Sequence, residues 1–428
     1  MRNTKLRITL REVLYIIAAV AVIFEIYLMK PIPQFRFVDE GIAVFCLAII
    51  LFKAFLKGLD RSQTYMLLLM LLLLGIGLAS NYYTKLYRTT DAIITDVGNT
   101  FKVFVTYVGA TLYLKPVKDK KRIIKVLATI MRLFVVVLFV ALLLHLTGIR
   151  TMGKEVRYGI ISFQFINEAA GQLGFVFYFV FLILLVDMRY DRRKGQFKML
   201  FLILAAVVWA FTLRTRAFLF IAMIFGLYWL TIKKGYEIKL NWKTALIGIL
   251  LMLLFSLDQI QVYFSNDKTA RYQFMHYGFY TMKRYFPFGA GFSCYGTDAA
   301  VKYYSRLYVL YGFPMVWGLS PHKPIFAHDT YWPAIMAQFG AFGLITMIMI
   351  VFRWGKDTLS RACHDKFSYL AALFIVLSLV SSSIASPTFF HFVTVGVCFL
   401  LPILFDDSNP KKESGVSYET SNRLHPHI

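Results

Sequence analysis

The sequence predicts an all-α, polytopic transmembrane protein of about twelve spans with one large extracytoplasmic loop subdomain. Three observations predict it. Hydrophobic residues make up 58% of the 428-residue chain and charged residues only 16%, where a soluble domain has about 25% charged. The apolar residues gather in runs long enough for membrane helices, separated mostly by short polar connections. The Lys and Arg residues concentrate in alternate connections, as the positive-inside tendency requires. A soluble core of this size would leave much of the apolar side-chain area in water. That excludes an ordinary cytosolic enzyme, a disordered tail and a secreted disulfide scaffold.

The expected spans are 13–29, 38–56, 64–81, 97–114, 127–147, 169–186, 197–212, 217–232, 243–258, 331–352, 367–386 and 388–405. The first follows a basic head, MRNTKLRITLRE, and ends IYLMKPIPQF with no small-residue cleavage site, so it reads as a retained span. Several runs fall short of the ~20 residues that cross the hydrocarbon. The span over 97–114 is the weakest, because it carries Lys102. With the N-terminus inside, the cytoplasmic segments include LYLKPVKDKKRIIK, DMRYDRRKGQFK, TIKKGYEIKLNWK and FRWGKDTLSRACHDK, which hold most of the Lys and Arg. An even number of spans puts the C-terminus inside as well. The chain divides into 1–258 with nine spans, 259–330 as a large outer loop, 331–405 with three spans, and a cytoplasmic tail at 406–428.

The formal charge of +24 would suggest a nucleic-acid partner in a soluble protein. Beside membrane spans it indicates anchoring and topology, and no nucleic-acid partner is expected. The cysteines stand at 46, 294, 363 and 398. Only Cys294 is expected outside and Cys363 is expected in the cytoplasm, so no disulfide is expected.

The loop 259–330 is long for a connection without a use. It is rich in aromatics, and its Lys and Arg outnumber Asp267, Asp298 and Asp329. Chemistry concentrates in and beside it. In TLRTRAFLF, Arg214 and Arg216 sit on the outer side, where the positive-inside tendency disfavours them. They read either as snorkelling cations or as a grip on an anion, which the guanidinium fork suits. Arg216 opens the next helix and is the better held. A helix is expected over 270–285, ending before Pro287. Its Lys283 and Arg284 suit the negative end of the helix dipole, but Arg271 stands near the positive end and gains nothing from it. In FPFGAGFSCYG, Gly289 and Gly291 let the backbone approach a ligand or a neighbouring helix. Asp329 or Thr330 would cap the helix that holds Pro333 in its first turn. His328 is then either an exposed linker residue or a general base for a sugar hydroxyl. Tyr303, Tyr304, Tyr331 and Trp332 would form an interfacial belt or stack on sugar faces. A base with several guanidiniums at one outer face suggests transfer from a lipid phosphate or diphosphate to a hydroxyl, with the arginines stabilising the departing charge. No carboxylate pair points to glycoside hydrolysis, and no cofactor or metal is called for.

These same residues resemble the bacterial O-antigen polymerase and O-antigen ligase superfamily. TLRTRAFLF is similar to the family's Arg opening a helix after a short outer loop. Arg271 before PFGAGF is similar to its second Arg before a Pro-x-x-Gly-x-Gly turn. HDTYWPAIMAQFGAFG is similar to its His followed by a glycine pair, with Asp329 where the family has Asn or Ser and one more residue before Gly340. The resemblance covers most of the chain by span layout and 212–343 by motif. It implies an integral bacterial inner-membrane glycosyltransferase. Arg216 and Arg271 would grip the lipid diphosphate, and His328, or Asp329 beside it, would activate the acceptor. Arg214, Gly289, Gly291, Tyr303, Tyr304, Tyr331 and Trp332 would contact substrate. The expected substrates are polyprenyl-diphosphate-linked oligosaccharides and polysaccharides, with membrane lipids, a chain-length regulator and a flippase as associates. Inversion at the anomeric carbon is expected. A ligase passing finished glycan to lipid A core, teichoic acid or protein, and a lipid or glycan transporter, are the alternatives. A transporter would show charges or broken helices within the membrane, and the sequence offers few: Lys102, Arg132 and Glu168.

Overall fold

In a computed structural model, residues 9–56, 58–117, 119–190, 195–235 and 269–405 are described. The expected span 243–258, the start of the long loop at 259–268 and the tail 406–428 lie outside the described residues. The described residues are mostly helical. Its helices are α1 (Leu10–Ile23), α2 (Glu25–Leu28), α3 (Val38–Phe55), α4 (Arg61–Thr84), α5 (Thr90–Leu114), α6 (Lys121–Leu146), α7 (Ala170–Asp187), α8 (Gly195–Ala210) and α9 (Thr215–Tyr228). They continue as α10 (Ala270–Arg284), α11 (Asp298–Lys302), α12 (Arg306–Leu310), α13 (Trp332–Ala362), α14 (Lys366–Ser383) and α15 (Phe392–Leu400). A two-residue antiparallel ladder joins β1 (Val156–Arg157) to β2 (Ile160–Ile161).

The protein is a multi-pass membrane protein, but the expectation of about twelve spans is corrected. Six described helices are long and apolar enough to cross a membrane: Arg61–Thr84, Lys121–Leu146, Ala170–Tyr190, Thr215–Lys233, Trp332–Ala362 and Lys366–Ser383. The other described runs are too short or too polar. Helices α1, α8 and α15 have 14, 16 and 9 residues. Helix α3 carries Asp39, Glu40 and Lys53, and α5 carries Asp91, Asp96 and Lys102. The long connection contains no sheet among its described residues. Its short helices close instead on a core of their own, with Phe274, Tyr295, Leu307, Tyr308 and Phe313 at its centre.

Side-chain pattern explains the arrangement. Helix α7 is apolar on every face, and from Val176 to Val186 its side chains are all buried, as a helix without a polar face must be. Helices α6, α8 and α14 surround it. Exposed apolar side chains stripe α3 (Val44, Leu47, Leu51), α6 (Leu133, Val137, Val140) and α13 (Ile345, Ile348, Phe352), a surface suited to lipid rather than water. Helices α3 and α5 run parallel. Lys102 meets Asp39, and Gly109 lies against Cys46, at the same offset of 63 residues. A Cβ at Gly109 would come within 2.6 Å of the Cys46 backbone, so glycine permits the close approach.

The connections collect at two ends. At one end Arg361 joins Asp60 and Asp357, and Lys120 donates to the Phe405 carbonyl. At the other, Lys30 reaches the Ile166 carbonyl, Arg214 pairs with Glu155, Arg216 binds the α14–α15 connection, and Arg88 donates to the Tyr304 carbonyl. The long connection lies at this second end. Ionised groups within the helical bundle are expensive unless paired, and these are: Lys102 with Asp39 at 2.7 Å, and Arg132 and Lys198 with Asp187. In the sequence Lys102 and Arg132 stand as isolated charges because their partners lie 63 and 55 residues away.

Candidate functional site

A cleft of about 360 Å³ opens at the loop end. The α1–α2 junction supplies Glu25, the start of α3 supplies Asp39 and Glu40, and α5 supplies Lys102. Opposite them stand Gly296, Thr297 and Asp298 from the long connection, then His328, and Pro387, Phe390, His391 and Phe392 from the α14–α15 turn.

Arg271, expected to be catalytic, meets Asp329, expected to contact substrate or share the base's role, next to His328. The Arg271 guanidinium binds the Asp329 carboxylate through Nε at 3.0 Å and through Nη2, and lies over the Phe326 ring at 5.1 Å. This explains a cation in the first turn of a helix: its partner is a carboxylate 58 residues on, not the helix dipole. It also corrects the expected cap. Tyr331 takes the N-cap position of α13 with no side-chain hydrogen bond, Pro333 is in the first turn, and Asp329 is committed to Arg271. His328 is half-buried, lines the cleft, and its Nδ1 is buried with no hydrogen-bond partner. Arg216 enters from another direction. It donates from Nη2 to the Ala385 carbonyl at 3.1 Å and from Nη1 to Ser386 Oγ at 3.4 Å, fastening the turn whose next residues line the cleft. Arg216 and Arg271 stand behind the cleft wall rather than among its lining residues.

The other expected contacts divide. Arg214 chelates Glu155 with both oxygens at 2.9 Å, tying the β1–β2 hairpin to the α8–α9 connection. Burial and nearby Arg157 hold its pKa below the usual arginine range, against the pull of Glu155. Gly289 and Gly291, expected to contact substrate, face protein. A Cβ at Gly289 would meet the Gly340 nitrogen at 2.4 Å, and one at Gly291 would meet Asn81 Cγ at 2.6 Å. Tyr331 is fully buried against Phe389 and Phe390, so it forms neither a surface belt nor an open stacking face, and half-buried Trp332 donates from Nε1 to Ser383 Oγ at 3.0 Å. Tyr304 turns inward and donates to the Leu319 carbonyl at 3.0 Å, and Tyr303 stays half-buried beside Lys302.

The glycine segment serves as a wedge. Gly340 breaks α13 with φ 63° and ψ −159°. Into the break comes 287–291: Ala290 N–H donates to the Ala337 carbonyl and Gly291 N–H to the Gln338 carbonyl, each at 2.8 Å. Buried polar groups that the sequence reading passed over fix the wedge. Asn81 accepts from Phe292 N–H at 2.8 Å and donates to its carbonyl at 2.9 Å. Gln338 donates to Asp96 and to the Tyr295 carbonyl, both at 2.8 Å, and Asp96 accepts from Ser293 N–H. Tyr308, its hydroxyl pKa raised by burial, accepts from Gly296 N–H at 2.8 Å and donates to the Ala327 carbonyl at 3.0 Å. It thereby joins the two segments that present Asp298 and His328. No motif flags these residues; an isolated Asn or Asp inside an apolar run is the one signal in the sequence.

Among the described residues, no three of His, Cys, Asp and Glu converge where they would hold a metal ion. The cleft lining offers carboxyl oxygens and an imidazole, with Arg216 and Arg271 behind its wall, which suits proton transfer and the binding of polar groups. No protein-family model matches the chain, and no curated protein is significantly similar to it.

Proposed function

We propose that the chain is a membrane glycosyltransferase. It moves a growing glycan from a polyprenyl-diphosphate carrier to a hydroxyl of the next lipid-linked unit, at the outer face of a bacterial inner membrane with both termini in the cytoplasm. One observation carries the reading. His328, with a partnerless Nδ1, lines a cleft whose wall is braced by Arg271 through Asp329 and by Arg216 through the α14–α15 turn.

In the proposed step the acceptor oxygen attacks the anomeric carbon and its proton passes to His328. The bond from that carbon to the diphosphate oxygen breaks, and polyprenyl diphosphate leaves with the electron pair. The guanidiniums lower the energy of the charge it acquires, and attack from the face opposite the leaving group inverts the centre. Asp329 orients Arg271 beside the base. Deleting the gene and analysing lipid-linked glycan tests the reading: single repeat units should accumulate. Long lipid-linked chains would assign a ligase instead, and an unchanged profile would refute both.

A transporter reading gains support from the buried Lys102–Asp39 pair and the break at Gly340, features expected where a substrate crosses the bilayer. It predicts movement of lipid-linked glycan across liposomes that hold the purified protein, with no change in chain length.

A further inference from the structure

The cleft differs in charge from the substrate's diphosphate. Its lining carboxyl groups are Glu25, Asp39, Glu40 and Asp298, against the cations Arg36 and Lys102. A diphosphate would find more carboxyl groups than cations there, with Lys102 already paired to Asp39, so the arginines behind the wall and the cleft itself have different tasks. Glu25 gives the second clue. The backbone bend at Phe24 sets it at the head of α2, where it is 1% exposed, and its Oε2 has no hydrogen-bond partner. Asp39 has Lys102 at 2.7 Å and Glu40 is half in solvent, whereas Glu25 is sequestered with an unused oxygen in a group that lines the cavity. A buried carboxyl oxygen left unpaired costs free energy, and a ligand hydroxyl or ammonium would relieve that cost. Phe390 and Phe392 add apolar wall to the same cleft, and a few convergent polar groups among apolar ones are what small-molecule sites present.

We propose that this cleft is a sugar subsite in which Glu25 accepts a hydrogen bond from a glycan hydroxyl or amino group, and that it takes neutral or amino sugars and rejects acidic ones. The subsite rests on the transferase reading for its place in a reaction, but its binding chemistry can be measured apart from it. In this arrangement Asp298, exposed at the rim, repels a carboxylate or phosphate on the sugar, and Lys102 stays occupied with Asp39.

The test is calorimetric titration of the detergent-purified full chain with three trisaccharides of equal length: a glucosamine trimer, an N-acetylglucosamine trimer and a galacturonic acid trimer. The glucosamine and N-acetylglucosamine trimers should bind, and the acidic one about tenfold more weakly or not at all. Glu25→Leu keeps the bulk of the side chain, removes both acceptor oxygens and should weaken the glucosamine trimer about tenfold, the usual size of one lost buried hydrogen bond. Asp298→Asn, at an exposed position that folding tolerates, should weaken the same trimer less and improve binding of the acidic one. Equal or preferred binding of the acidic trimer, no binding of any trimer, or a Glu25→Leu variant that binds all three as the parent does would overturn the subsite. No lipid diphosphate is present in this titration. Selective trimer binding together with an unchanged lipid-linked glycan profile on gene deletion would therefore remove the transferase reading and leave the subsite standing.

Discussion

Asn81→Ala should loosen the wedge that shapes the cleft. Asn81 is 3% exposed, and its amide makes two hydrogen bonds to the same residue, one with Phe292 N–H at 2.8 Å and one with the Phe292 carbonyl at 2.9 Å. Truncation leaves the Phe292 N–H buried without a partner and its carbonyl with only the weak Cys294 Sγ donor at 3.4 Å, a loss of about 1–3 kcal/mol each, or about 2–6 kcal/mol together. An unfolding entropy near 2.1 cal/mol/K per residue, taken over the whole chain, converts this to a Tm lower by about 2–7 °C. The assay is thermal unfolding in detergent with a thiol-reactive fluorophore. In a background with Cys46, Cys363 and Cys398 changed to Ala, buried Cys294, two residues beyond Phe292, reports release of this segment directly. Burial also pushes its thiol pKa up, which keeps it unreactive while folded. Thr129→Ala is the control, because that hydroxyl bonds only to the Lys125 carbonyl of its own helix and its loss should move the Tm by less than about 1 °C. An Asn81→Ala protein with parental Tm and an unreactive Cys294 would refute the wedge argument.

Lys102→Met should destabilise the protein by about 3–5 kcal/mol, since it strands the buried Asp39 carboxylate; adding Asp39→Leu should recover most of that loss in the same melting assay. Gly340→Ala should fail to reach a folded state in detergent by size-exclusion profile, because φ is +63° and a Cβ would lie 2.2 Å from the Pro287 carbonyl oxygen. Orientation is testable at Cys363, which is exposed: an impermeant thiol reagent should label it only after cells are permeabilised, and labelling of intact cells would reverse the assigned sides. Cys294 cannot serve for that purpose despite its place in the long connection, because it is fully buried.

Long apolar runs made six helices legible, since a span announces itself by local composition alone. The helix over 270–285 was legible too, because Pro287 marks its end, and it forms as Ala270–Arg284. What escaped was pairing across sequence distance. Lys102 reads as a flaw in an apolar run until Asp39 is brought beside it, and Arg271 reads as a misplaced cation until Asp329 is. Gly289 and Gly291 announced a close approach, but whether to a ligand or to a helix depends on Asn81 and the break at Gly340, and a backbone dihedral leaves no mark on hydropathy. Aromatics beside a span suggested an interface belt, yet Tyr331 lies inside the bundle because the α14–α15 turn folds over it. Glu25 was missed for a simpler reason: one carboxyl near the end of an apolar run looks like the edge of the membrane.

The central claim is that Arg216, Arg271 and His328 work together on a lipid-diphosphate-linked glycan. The most direct measurement reconstitutes the purified protein in liposomes with a polyprenyl-diphosphate oligosaccharide from the same cells, and follows glycan length and released polyprenyl diphosphate together. The account predicts one carrier released for each unit joined, and a rate lowered about 10²-fold or more by His328→Ala and by Arg271→Ala or Arg216→Ala with the Tm little changed. Glycan lengthening at the parental rate in these three variants would contradict it.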